Sequence, residues 1–387
     1  MITRDDIREL ANFQSPEGCA VSFYYQPSTP LNKSHREEVI LVKDMVRNAL
    51  REAEKRGRNG STRSDLERIS NMIDPLHGSG KAKAIFACSQ HGFWREFDLP
   101  AQLVESRIGV SRRFRLKPLA AVLDAEQRAC VLLADRTKAR VFELRNDDIS
   151  EKEDFINELT RRGKSVGRAD YEGGQAERKV MNEALQHFKL VADRIEQYFE
   201  RGVCDRLVIG CRDDVWSEIE PQLQSKARQH LAGRFRIDPK AATPEQVKHM
   251  ARQQLAEYSA TRKQGLIREV IGEAHRNGRG AVGLRRVLRS LEAGEVLTLL
   301  LGSNFHAPGV KCYNCGHMDL HSAPNCAVCG KENTELEDIG DAIVGHAIRT
   351  GVELVYIPDD EEFDRIGRIA ALLRFRAVQN PAVRAAV

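Results

Sequence analysis

Two cysteine pairs, Cys312-x-x-Cys315 and Cys326-x-x-Cys329, constrain the fold of this chain more tightly than any other feature. Each pair can set two thiolates on one tight turn, and ten residues separate the pairs. Gly316 and Gly330 follow the second cysteine of each pair, where such a turn needs a permissive backbone. Four thiolates close a tetrahedral Zn²⁺ site and leave no open position for a substrate. The spacing therefore predicts a structural zinc ribbon over residues 311–331. Four unliganded thiols or a redox pair are the alternatives, and the paired spacing favours metal. His317 and His321 lie inside the ribbon and are expected to be bystanders beside four thiolates. The ribbon interrupts a strand-and-helix pattern, so it is expected to protrude as a mini-domain that contacts a partner.

At 387 residues the chain exceeds one ordinary core, and two or three domains are expected. A hydrophobic fraction of 41 % and a charged fraction of 30 % place it among globular chains rather than disordered ones. No apolar run approaches the ~20 residues of a bilayer span. The opening MITRDDIREL lacks the basic region and apolar core of a secretory signal. Cys19, Cys88, Cys130, Cys204 and Cys211 are scattered, several of them in strand-like apolar runs. They are expected to act as small buried hydrophobes in a reducing cytoplasm. The net charge of +4 neither demands nor excludes nucleic acid, so the distribution of charge matters more.

Periodicity divides the chain into three α/β segments, 1–115, 116–243 and 244–387. In the first, strands are expected at Val21–Tyr25 and Lys83–Cys88. Between them, a helix with Val39, Val42, Val46 and Leu50 on one face and a second with Leu66, Ile69 and Ile73 should form a hairpin with a basic tip. In the second, Cys130–Ala134 and Ala139–Leu144 read as a strand hairpin. A helix then carries Met181, Leu185, Phe188, Ala192, Ile195 and Phe199 on one face, followed by a strand at Arg206–Gly210. In the third, Thr243-Pro244 marks a helix start, since Thr caps and Pro fits the first helical position. Helices around Leu266–Ala274, Gly283–Leu291 and Ile339–Thr350 alternate with strands at Val296–Leu301, Val352–Ile357 and Leu372–Arg376, and the last residues read as a frayed tail.

Three stretches hold basic residues and no acidic ones. They carry Lys55, Arg56, Arg58 and Arg63; then Arg112 and Arg113 within Arg107–Lys117; then Arg161, Arg162, Lys164 and Arg168. A charge run is usually a solvated face, yet clustered guanidinium groups with glycine also suit RNA phosphates and stacked bases. The third stretch leads into Gly173-Gly174-Gln175, inside a charged, glycine-rich loop over 163–177. Two glycines let another backbone approach closely, and the glutamine supplies one amide acceptor and one amide donor. Such a tip has no nucleophile and no strong base. It can position a water and stabilise developing charge where a partner supplies the rest of a site. A plain glycine turn before a helix is the bland alternative.

The order of these parts, strand pair, GGQ loop, long amphipathic helix and four-cysteine ribbon, resembles the archaeo-eukaryotic peptide release factor or Pelota family, in its bacterial, Balon-like branch. The resemblance implies a small α/β N-domain on the codon side, a ribonuclease H-like middle domain carrying GGQ, and a ribosomal-protein-like α/β C-domain with an inserted zinc ribbon. It implies a ribosome A-site factor of the release or rescue type, in which Gly173, Gly174 and Gln175 promote peptidyl-tRNA hydrolysis at the peptidyl transferase centre. Partners would be rRNA, peptidyl-tRNA and a translational GTPase, with no membrane. Two departures stand out. The first-domain tip Gly57–Arg63 lacks the Asn-Ile-Lys-Ser motif of the termination factors. Asp170, Glu172 and Glu177 flank GGQ where the family carries basic residues. Both departures fit an alternative, a non-catalytic hibernation factor that occludes the A site. A stand-alone nuclease is disfavoured, because Asp135 and Asp170 have no spacing that supports a two-metal site.

Overall fold

A computed structural model of the protein describes residues 2–26, 35–55, 61–72, 82–99, 106–125, 128–145, 148–156 and 173–376. They fall into two compact units, Met1–Ala125 with Leu266–Val387, and Glu126–Gly265.

The N-terminal part of the first unit opens with α1 (Arg4–Asn12). A capping box starts it: Asp6 N–H donates to Thr3 Oγ1 at 3.2 Å, and Thr3 N–H donates to the Asp6 carboxylate at 2.7 Å. Then come β1 (Ala20–Tyr25), α2 (His35–Lys55), α3 (Ser61–Asn71), β2 (Ala82–Cys88), β3 (Phe93–Leu99), β4 (Arg107–Ser111) and α4 (Lys117–Ala125). The strands form an antiparallel sheet in the order β3-β2-β1-β4. Every residue of β1 is buried because both faces of the sheet are covered. Val21, Phe23 and Tyr25 meet Val42 and Val46 of α2 and Leu66 and Ile69 of α3. Ala20 and Tyr24, alternating to the other face, join a second cluster.

The second unit contains β5 (Arg128–Ala134), β6 (Lys138–Arg145), β7 (Asp148–Ile156), α5 (Gly173–Glu200), β8 (Arg206–Gly210), α6 (Asp213–Ile219), α7 (Ser225–Gln229), β9 (Leu231–Phe235) and most of α8 (Pro244–His275). Its sheet runs β7-β6-β5-β8-β9, antiparallel across the first three strands and parallel across the last three. The sheet is mixed, as the alternation of strands and helices read from the sequence suggested. One face packs on α5 through Phe188, Val191 and Ile195, and the other packs on α8 through Val247, Ala251 and Leu255. The β5–β6 turn is held by Asp135, whose carboxylate accepts from the backbone of Thr137 and Lys138 and pairs with Lys240 at 3.2 Å. Asp135 therefore serves the turn.

The C-terminal part of the first unit adds β10 (Gly280–Val282), α9 (Leu284–Glu292), β11 (Val296–Gly302), β12 (Gly309–Lys311), β13 (Met318–Asp319), β14 (Thr334–Leu336), α10 (Ile339–Thr350), β15 (Glu353–Ile357), α11 (Glu361–Arg365) and β16 (Ile369–Leu373). The main sheet is ordered β10-β16-β11-β15, with β11 and β15 parallel. A small sheet, β13-β12-β14, carries the cysteines. The end of α8 covers one face of the main sheet through Ile267 and Val270. The other face belongs to the cluster that β1 enters. There Leu10, Tyr24, Phe86 and Phe114 pack with Leu291, Leu301, Ile343 and Tyr356. Lys117 ties the two parts together: its ammonium donates to Asp338 at 2.8 Å and to the Phe305 carbonyl, and its own carbonyl accepts from Tyr356 Oη at 3.0 Å.

Several elements differ from the sequence expectation. The segments read as first and third share one hydrophobic cluster, because amphipathic periodicity marks an apolar face but not what covers it. Strands β3, β4, β7 and β9 had no clear apolar alternation; the register of the sheets supplies them. Helix α8 is continuous from Pro244, with Thr243 and Gln246 exchanging the expected cap hydrogen bonds at 3.1 and 3.3 Å. The last strand ends at Leu373, before the Arg374–Arg376 charges. Met181, placed on the apolar face of α5, is 69 % exposed, and the buried stripe runs through Ala184, Phe188, Val191 and Ile195. The expected tail, 377–387, lies outside the described residues.

Candidate functional site

The four cysteines of the ribbon come together. Cys312 Sγ lies 3.5 Å from Cys329 Sγ, Cys315 Sγ lies 3.6 Å from Cys326 Sγ, and all four sulfurs lie within 4.8 Å of one another. Tetrahedral Zn–S bonds of about 2.3 Å require sulfurs about 3.8 Å apart, so the set fits one ion. The two turns repeat one geometry. Gly316 N–H donates to Cys312 O at 2.8 Å and Gly330 N–H donates to Cys326 O at 2.9 Å. Both glycines sit in the left-handed region, at φ of 84° and 71°, which a side chain would disfavour. The histidines turn to carboxylates: His317 Nδ1 meets Glu292 at 2.9 Å and His321 Nδ1 meets Asp319 at 3.3 Å. The four thiols could therefore hold a metal ion without them.

Gly173, Gly174 and Gln175 form the first turn of α5 rather than the end of a loop. The helix extends backwards because Ala176 to Lys179 are all good helix formers. The side chains of residues 173–180 and the whole of 157–172 lie outside the described residues, which includes Arg161, Arg162, Lys164 and Arg168. What is fixed is the backbone setting: a long helix, packed along the five-stranded sheet, begins at the two glycines. Its first N–H groups have no partner within the helix, so this end carries a partial positive charge.

Residues 115–256, which hold this sheet, the GGQ turn and the first part of α8, match the family described as Bacterial archaeo-eukaryotic release factor family 10. The match covers this segment and not the rest of the chain. Solved structures similar to this chain include Dom34 of S. cerevisiae, a translation termination-like factor (10 % identity, 80 % of this chain and 83 % of that one, TM-score 0.43). They also include Pelota of Archaeoglobus fulgidus (13 % identity, 97 % and 93 %, TM-score 0.33). A third is the C-terminal domain of a peptide chain release factor from Methanosarcina mazei (26 % identity, 34 % and 92 %, TM-score 0.26). No curated protein sequence matches the chain.

Outside residues 115–256, the basic residues read from the sequence separate into different settings. Arg56 and Arg58 lie outside the described residues, as does the side chain of Lys55 at the end of α2. Arg63 is on α3 and pairs with Glu67 at 3.0 Å, one turn on. Arg113 is half-buried. Its guanidinium donates to the carbonyls of Ala11 at 3.1 Å and Phe13 at 3.4 Å and to Gln14, so it holds the end of α1. Arg112 stacks over Tyr313 at 5.1 Å from the ring centroid.

Both arginines border a cavity of about 310 Å³ that also takes in Lys311 and Arg349. Burial, with Arg349 and Arg113 facing it, pushes the Lys311 ammonium down to about 7. Burial and Arg113 likewise push the Arg349 guanidinium down to about 10. Sequence reading missed Lys311 and Arg349. The only signal was a lysine closing a short apolar strand, which is also what an ordinary exposed strand end looks like.

Among the described residues, no helix is long and apolar enough to cross a membrane.

Proposed function

We propose that this protein is a ribosome-associated factor of the release or rescue type that enters the A site and sets the 173–175 turn at the peptidyl transferase centre. The match of residues 115–256 to a release-factor family carries the proposal. In this reading Gly173 and Gly174 let the tip approach the ester of peptidyl-tRNA. The Gln175 amide orients the attacking water, and rRNA supplies the remaining contacts. With no nucleophile at the tip, the protein alone is inert.

The four thiolates hold a structural Zn²⁺ that fixes the ribbon. By the family resemblance, a translational GTPase is the delivery partner and the cytoplasm the setting. Ribosomal RNA is the surface that Lys55, Arg56, Arg58, Arg63 and the 161–168 stretch would meet.

A second reading, A-site occlusion in hibernation, is favoured by the carboxylates of Asp170, Glu172 and Glu177, which phosphates would repel. Peptide release from ribosome–nascent-chain complexes with an empty A site separates the two, with co-sedimentation measured in parallel. Release that Gln175→Ala reduces by about 10²-fold or more, with binding retained, is the outcome expected of the first reading. Tight binding by the wild type without release would replace it with the second, and loss of ribosome binding altogether would remove both.

A further inference from the structure

Lys311 is 4 % exposed, and its ammonium makes no hydrogen bond or ion pair with any described residue. It ends β12, and its ammonium stands 5.8 Å from the Tyr313 ring centroid. Arg113 comes from the connection between β4 and α4, and Arg349 from the last turn of α10. Both guanidinium groups donate to one neutral acceptor, the Ala11 carbonyl, at 3.1 and 3.2 Å. No described carboxylate pairs with any of these three cations. The acids that border the same cavity are otherwise engaged or turned outward. Asp338 is held by Lys117 at 2.8 Å, Glu335 accepts from Ser322 at 2.5 Å, Asp341 accepts from the Lys117 backbone at 3.3 Å, and Glu337 is exposed. Three basic side chains facing one another around a cavity repel, and a buried charge with no counter-charge is strongly disfavoured.

We propose that this cavity is a binding site for a small phosphate-bearing molecule. The phosphate would lie between Lys311, Arg113 and Arg349. Lysine is a compact donor to a phosphate oxygen, and arginine offers the planar fork that matches two oxygens at once. The volume, about 310 Å³, is in the range of small-ligand pockets and exceeds what a bare phosphate fills. The remainder of the ligand would run along Tyr313, whose ring Arg112 covers. A free small molecule fits better than an RNA backbone, because the Lys311 side chain is almost wholly buried and a polymer crossing the surface would meet little of it. Arg113 and Arg349 belong to the two chain segments that build the first unit, so one bound phosphate would bridge both. The site is remote in sequence from the GGQ turn, and its occupancy is independent of whether that turn is catalytic.

The experiment is a phosphate titration of the full-length protein in a phosphate-free buffer, read by thermal melting and by calorimetry. Sodium chloride at matched ionic strength is the control. Inorganic phosphate is expected to raise the melting temperature saturably and to bind with a stoichiometry near one. Arg349→Gln should weaken it about tenfold or more. Lys311→Met should abolish the phosphate effect while raising the melting temperature in phosphate-free buffer, since it removes the unpaired charge. Zinc content measured on the same samples guards against damage to the adjacent ribbon, and Arg349→Gln, on a different element, tests the site if Lys311→Met does not fold. A response to phosphate no larger than to chloride overturns the proposal. So does phosphate binding that both variants leave unchanged, or a shift produced by an RNA oligonucleotide and not by phosphate.

Discussion

His187 shows what burial does to a single residue in the second unit. It lies on α5, it is buried, and its Nε2 has no hydrogen-bond partner. Burial holds it below the ordinary imidazole range, against the attraction of Asp135. A base whose folded pKa is depressed binds fewer protons folded than unfolded. Its stabilising effect is complete above the unfolded value of about 6.5 and is lost as the pH falls through the lower folded value. The second unit should therefore lose stability on acidification below about pH 6.5, and His187→Phe should flatten that part of the profile. Denaturant melts at several pH values, followed by hydrogen exchange on β5 and β8, check this. An unchanged profile in the variant would assign the acid sensitivity elsewhere.

Among the elements, the cysteine ribbon depends most on something outside the polypeptide. Its sheet is three short strands, β13-β12-β14, anchored to the main cluster through Met318, while backbone turns surround the thiols. An element this small has too little apolar area to order itself, so metal binding and ribbon folding should be one event. Chelation, or Cys326→Ser, is expected to disorder residues 312–330 and to leave the α5 and β5–β8 amides protected. Elemental analysis and hydrogen exchange on the same samples decide it, and a purified protein with no metal and an ordered ribbon would refute it. Helix α5 carries the opposite lesson. Its helical period was plain in the sequence, but Met181 carried the expected face one turn too far. A long helix needs burial only where the sheet lies beneath it.

For the molecule as a whole, the decisive contact is Lys117. Read as part of a basic stretch, it is buried at the join between the N-terminal and C-terminal parts of the first unit, facing Asp338 and the Phe305 carbonyl. Removing one partner of a buried pair leaves the other charge uncompensated and costs about 3–5 kcal/mol. Lys117→Ala should therefore destabilise the unit built from 1–125 and 266–387 by that order. Amides of α4 and α10 should lose protection while those of β5 and β8 keep theirs. Uniform protection across α4 and α10 in the variant would show that the hydrophobic cluster alone holds the join.

What the sequence determined by itself was local. The aromatic, β-branched run Val21–Tyr25, the Thr243 cap, the hairpin at Asp135 and the spacing of Cys312, Cys315, Cys326 and Cys329 are short-range patterns, and each was legible because its physics acts within a few residues. The GGQ turn was legible as a motif, although its helical backbone was not. The tertiary structure alone decided that Tyr24 and Phe86 share a core with Leu301 and Tyr356. It alone turned Lys117 and Arg113 from a surface patch into internal ties, and set Lys311 and Arg349 against one cavity. These depend on residues up to a few hundred positions apart. A charge written in a sequence does not say whether water or another charge will face it.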